Sequence, residues 1–206
     1  MNKPLIVLSI PYNNVSQYID FGADYIEVRL DYKKNLSIND IDEFLKYKEK
    51  IILTIRDLNE GGVFPVKDDI KLNIYKKIYD YGIKYDVELR FLEKYKVPYD
   101  DEIVSSHYLN FLPSINELIE KYKKFDNLFT AKVAIKNING YKSILTKFLE
   151  IINNPTVIPI GAPWYERISF SLLGSKLLYV YDKVQTGEGQ PNFYIASKIL
   201  YEIFNN

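Results

Sequence analysis

Eight short runs rich in β-branched and aromatic residues alternate along this chain with longer segments of helical spacing, and that alternation constrains the fold more than any other feature. The expected strands are Leu5–Ile10, Tyr25–Asp31, Ile51–Asp57, Tyr85–Arg90, Glu102–His107, Leu128–Ile135, Thr156–Gly161 and Leu177–Tyr181. Strands separated by helices pair in parallel, because a parallel pair needs a long crossover rather than a tight hairpin. Among the helical segments, "SINDIDEFLKYK" places Ser37 and Asp40 at capping-box spacing, with Ile38, Ile41, Phe44 and Leu45 as its apolar stripe. "DDIKLNIYKKIYDYG" stops at Gly82, and the segment after the fourth strand is cut short by Pro98. Eight such units with no linker between them predict one α/β domain over residues 1–206, a (β/α)8 TIM barrel with parallel strands. An open doubly wound sheet is the alternative, but no glycine-rich phosphate loop follows the first strand.

Composition narrows the chemistry. The formal net charge is zero, so no nucleic-acid partner is expected on electrostatic grounds. There is no cysteine, which excludes disulfides and thiolate metal sites, and a single histidine, His107, excludes a multi-histidine metal site. The apolar run "PLIVLSI" is too short to span a membrane, so a soluble, cytoplasmic protein is expected. Only four of the 27 basic residues are arginines, which makes Arg29, Arg56, Arg90 and Arg167 selective placements in a lysine-rich chain.

Charged residues recur on one face of the expected strands. In "YIEVRLD" Tyr25, Glu27, Arg29 and Asp31 alternate with Ile26, Val28 and Leu30. On an antiparallel sheet the charged face would be solvated; in a parallel barrel it points inward, toward the mouth where strand C-termini meet. The third strand carries Thr54 and Arg56 and runs into "LNEGG"; the fourth offers Asp86, Glu88 and Arg90; the fifth ends in Ser105 and His107. Lys132 is the only charge in "LFTAKVAI", where burial would depress its pKa and make it a nucleophile for carbonyls. Singly, each has an ordinary explanation: a structural histidine, a lysine snorkelling from an edge, surface ion pairs. Together they favour a site. A nucleophilic lysine, one histidine for proton transfer and arginines for a carboxylate suggest a Schiff-base lyase or aldolase acting on a small anionic ketone or aldehyde.

In order along the chain, "EVRLD", "TIRDLNEGG", "DVEL", "SSH", "AKVA", "IG…R…GS" and "TGEGQ" together resemble type I 3-dehydroquinate dehydratase, the Schiff-base enzyme of the shikimate pathway. The resemblance implies dehydration of 3-dehydroquinate to 3-dehydroshikimate in a (β/α)8 barrel, with no metal or nucleotide cofactor. It implies that Lys132 forms the imine with the C3 ketone. His107 would take the C2 proton and return a proton to the departing C1 hydroxyl, with Glu60 holding and tuning it. Arg167 would grip the substrate carboxylate, with Thr186 and Gln190 on the closing loop. Glu27, Arg29 and Arg56 would bind ring hydroxyls, Asp86 and Glu88 would support His107, Arg29 or Lys132 from behind, and Asp31 would orient its neighbours. The partners implied are a small-molecule substrate and a second copy in a homodimer.

The chain departs from the family pattern at Thr186, where serine is usual, and at Glu166, a negative charge beside the anion-binding arginine. It departs also at Leu109, usually aromatic, and at Ile158 and Ile160, often methionine. Two other readings stand beside the resemblance. A Schiff-base aldolase on sugar phosphates would need a better phosphate loop than "GAPWYER" or "QTGEGQ". A barrel kept as a binding module would not need both Lys132 and His107.

Overall fold

The computed structural model describes residues 2–12 and 15–205. Each expected run of alternation forms a strand: β1 Leu5–Pro11, β2 Tyr25–Arg29, β3 Ile51–Thr54, β4 Lys84–Glu88, β5 Ile103–Tyr108, β6 Thr130–Lys136, β7 Pro155–Ile160 and β8 Leu177–Val180. All ladders are parallel, and the order β7-β6-β5-β4-β3-β2-β1-β8 brings β8 round to β1. The helices α1 Asp68–Asp80, α2 Leu89–Lys94, α3 Ile115–Tyr122, α4 Tyr141–Ile151, α5 Trp164–Leu172 and α6 Phe193–Phe204 lie between or after the strands. The result is a nearly closed (β/α)8 barrel.

Between β7 and β8 the seam is closed largely by side chains. Leu177 N donates to Thr156 Oγ1 at 3.2 Å and Val157 N to Ser175 Oγ at 3.0 Å. One backbone bond, Lys176 N to Pro155 O at 2.7 Å, joins them.

Period-two alternation separates two apolar regions. Ile26, Val28 and Leu30 face outward into one continuous core with helix residues such as Ile74, Leu145 and Leu200. Inside the barrel Val7, Ile52, Ile103, Leu177 and Tyr179 form a second cluster toward the strand N-termini, with Tyr25 and Phe129 packed beneath. The Phe129 ring lies 4.3 Å from Lys84 Nζ and 3.9 Å from Lys176 Nζ, a cation–π arrangement at that end. The polar inward residues are therefore left at the opposite, C-terminal end.

Four local expectations need correction. Strand β3 stops at Thr54, so Arg56 lies just past its end and not on the strand. Strand β2 stops at Arg29, and Asp31 sits in a short 3₁₀ turn, Leu30–Tyr32, just beyond it. Strand β4 stops at Glu88, so Arg90 belongs to α2 with a half-exposed side chain instead of continuing the inward row. "INDIDEFLKY" has its expected capping box, with Ser37 N donating to Asp40 at 2.8 Å, but winds as a 3₁₀ helix. At three residues per turn Ile41 and Phe44 share the buried face and Leu45 turns away from it; Ile38, the first residue of the helix, is exposed as well. Pro98 follows the six-residue α2, as expected. Among the described residues no helix is long and apolar enough to cross a membrane.

Candidate active site

The inward residues near the strand C-termini surround a cavity of about 410 Å³. Its wall includes Lys132, His107 and Glu60, and also Glu27, Arg29, Arg56, Arg167, Thr186 and Gln190. Asp31, Asp86 and Glu88 are fully buried behind these. Burying so many ions is costly, and all of them but Arg167 are held by pairing.

Lys132 sits in the middle of β6 and is 3% exposed. Its Nζ donates to Asp86 Oδ2 at 2.6 Å and lies 3.8 Å from Glu27 Oε1, over the Tyr179 ring at 4.1 Å. Burial pushes the amine below its ordinary pKa, with Asp86 and Glu27 opposing that shift. For Asp86 burial acts upward, but Arg56 and Lys132 outweigh it and hold the carboxyl far below its usual range. A fixed anion thus faces an amine whose uncharged, nucleophilic form is more accessible than in a solvated lysine.

His107 ends the inward row of β5, one inward step above Ser105, which is itself in register with Lys132. Glu60 approaches from the β3–α1 loop: its Oε2 accepts from His107 N at 3.1 Å and lies 3.0 Å from Nδ1. Burial, then the nearby Glu88, pushes Glu60 up to about 8. Burial, then Arg56 and Lys132, pushes His107 well below its ordinary value. With Nδ1 committed to Glu60, neutral imidazole has Nε2 as its other ring nitrogen for proton exchange. The loop is shaped for this contact. Asp57 O accepts from Glu60 N at 2.9 Å and Gly62 N at 2.8 Å, and a Cβ at Gly62 would fall 2.1 Å from Arg56 O.

The arginines are preset by carboxylates. Arg29 grips Asp31 bidentately, both bonds 2.8 Å, and Asp31 also accepts from Val63 N at 3.1 Å. Arg56 reaches Asp86 at 2.9 Å and Ser105 Oγ at 2.8 Å. Glu27 accepts from Thr54 Oγ1 at 2.9 Å and from Ser9.

Arg167 differs. It enters from α5, buried, and burial lowers its pKa to about 9, with Glu27 the only charge opposing that shift. Among the described residues its Nε has no hydrogen-bond partner, while Nη2 donates to Glu188 O. An under-neutralised guanidinium at a cavity wall suits an anion. Glu166, the neighbouring departure, turns away: it bonds Lys142 Nζ at 2.9 Å and Tyr141, and does not line the cavity. Leu109, Ile158 and Ile160 do line it.

Over the cavity the loop following β8 is tied down from several sides. Ser9 Oγ meets Thr186 Oγ1 at 2.6 Å, Arg29 Nη1 donates to Thr186 O at 3.1 Å, and Lys136 pairs with Glu188. Gln190 staples the loop to itself, its Oε1 accepting from Thr186 N at 2.9 Å and Gly187 N at 3.1 Å.

Sequence reasoning missed Ser9, Lys71, Tyr179 and the Lys136–Glu188 pair. Tyr179 and Ser9 read as ordinary barrel filling, and only the closed sheet brings them to the cavity. Lys71 carried a signal: it stands on the buried stripe of α1 with Ile74, Tyr75 and Ile78.

A parallel (β/α)8 barrel with a buried amine and a carboxylate-backed imidazole at its C-terminal mouth has the architecture of a barrel enzyme with its site where that fold places it. The family model for type I 3-dehydroquinase matches residues 12–136. The chain is 41% identical over 214 residues to the 3-dehydroquinate dehydratase of Saccharolobus solfataricus, covering 98% of this chain and 94% of that one. It is 36% identical to that of Metallosphaera sedula, covering 99% and 100%. The barrel superposes on the crystal structure of the 3-dehydroquinate dehydratase from Aquifex aeolicus with a TM-score of 0.76 at 21% identity, covering 98% of this chain and all of that one. The chain belongs to the type I 3-dehydroquinase family.

Proposed function

We propose that this enzyme dehydrates 3-dehydroquinate to 3-dehydroshikimate in the shikimate pathway, through an imine on Lys132. The observation that carries the reading is that Lys132, backed by the buried Asp86, lines one cavity with the His107–Glu60 pair. The uncharged Lys132 amine adds to the C3 ketone, and loss of water with uptake of one proton, given back when the imine is hydrolysed, leaves the protonated imine facing the Asp86 carboxylate. That cation acidifies C2, whose proton passes to His107 Nε2. The enamine then expels the C1 hydroxyl, which leaves as water with the proton from His107, and hydrolysis of the imine frees Lys132. One water is lost overall. Arg167 supplies the cation for the substrate carboxylate, while Glu27, Arg29 and Arg56 face the ring hydroxyls beneath the Thr186–Gln190 loop.

The family resemblance supports extending the reading to one catalytic domain per chain, working as a homodimer in the cytoplasm. Light scattering in solution tests the dimer. The decisive experiment is reduction with borohydride in the presence of 3-dehydroquinate, followed by peptide mass spectrometry. An adduct on Lys132 is expected; no adduct, or one on another lysine, overturns the mechanism.

A further inference from the structure

Lys71 is 3% exposed on the face of α1 that otherwise delivers Ile74, Tyr75 and Ile78 to the core. A lysine there is costly unless paired, and an apolar residue would fill the stripe equally well. Its Nζ donates to Glu88 Oε2 at 2.5 Å and lies 4.9 Å from the Phe91 ring centroid. The other oxygen of Glu88 accepts from Asp57 N at 2.7 Å and stands 3.4 Å from Arg56 Nη1. Asp57 is the residue whose carbonyl anchors the Glu60 turn. Arg56 is shared in turn by Asp86 at 2.9 Å, Glu88 at 3.4 Å and Glu60 at 3.9 Å.

We propose that Lys71 is a positioning residue for the His107–Glu60 pair, holding Glu88 so that Arg56 remains with Asp86 and Glu60 and the Asp57 backbone stays fixed. Without its charge Glu88 turns to Arg56 as its remaining cation, and the field at His107 and Glu60 becomes more negative. The other groups acting on His107 are Arg56, Lys132, Asp86 and Arg29; those acting on Glu60 are Glu88, Arg56, Arg90 and Asp86. Lys71 itself is faced by Glu88, the Tyr75 ring and, more remotely, Asp68.

The role rests on the dehydratase reading, but one test is independent of turnover. His107 is the only histidine in the chain, so its imidazole resonances follow the titration of the pair without ambiguity. Lys71→Met is expected to raise the His107 midpoint by about half a pH unit or more, a roughly threefold change in its protonation equilibrium. The acid limb of kcat follows it upward, kcat falls about tenfold and KM changes little, since Lys71 does not line the cavity. Adding Glu88→Gln to Lys71→Met returns the midpoint toward wild type, and Glu88→Gln alone lowers it. A titration unmoved by Lys71→Met overturns the proposal; if that variant fails to fold, one unmoved by Glu88→Gln does so equally. Failure of borohydride trapping in the wild type overturns the dehydratase reading instead, and leaves the His107 titration to decide this one.

Discussion

In the proposed mechanism the two halves of the chemistry reside on His107 and Lys132, so they can be separated by substitution. His107→Ala removes the proton carrier but leaves Lys132 bonded to Asp86, with Tyr179 beneath it. The variant is expected still to yield the borohydride adduct while kcat falls roughly 10²–10⁴-fold, the usual contribution of a general acid–base group. Turnover near wild type, followed by the absorbance of the product, would remove the base assignment. Arg29 and Arg56 were legible because arginine is scarce in this lysine-rich chain, and Lys132 because it is the only charge in its apolar run. The partners were less legible. That Glu88 serves Lys71 and Arg56, while Asp86 serves Lys132, depends on which rotamers meet inside the barrel.

Strands were read from alternation to within a few residues, because each inward position alternates with an outward one packed under a helix. Strand ends were less secure. The helical turn at Leu89 begins inside the alternating "DVELR" run, and no residue type forbids it. The 3₁₀ winding of Ile38–Tyr47 was equally hidden, since i, i+3 spacing is common to both helix types. The β7–β8 seam is a feature of element pairing that no local pattern announces. Ser175→Ala would leave the buried Val157 N without its acceptor, costing about 1–3 kcal/mol. For a chain of this size that is a fall of about 2–4 °C in Tm per kcal/mol, measurable by calorimetry. A Tm equal to wild type would show that the seam does not depend on this bond.

Over the whole molecule, buried carboxyls set the response of stability to pH. Glu102, at the N-terminal end of the barrel, is pushed from 4.5 up to about 8 by burial, although Tyr85 N donates to it at 2.8 Å. Between those two values the folded state binds more protons than the unfolded state, so stability falls as pH rises. Glu60 acts in the same direction; His107, held well below 6.5, opposes them only up to its ordinary pKa, one group against two. Asp86, held low, acts oppositely: its contribution is complete above the ordinary carboxylate range and is lost on acidification below it. The wild-type Tm is therefore expected to be lower at pH 8 than at pH 5. Glu102→Gln retains an acceptor for Tyr85 N and should narrow that gap; thermal melts at the two pH values giving the same gap as wild type would contradict this account.

Alternation, the count of β–helix units and the scarcity of arginine and histidine are properties of the sequence alone. They determined a parallel (β/α)8 barrel, its polar inner face and the residues that form it, because side-chain direction in a strand follows sequence parity. Tertiary structure decided the rest. Closure of the sheet placed His107 and Lys132 on one cavity, carried Glu60 to the imidazole from a loop 47 positions away, turned Glu166 outward and brought Lys71 under the site from a helix. Those contacts join residues remote in sequence, and their pairing is fixed only when burial removes water and leaves each ion to find a partner.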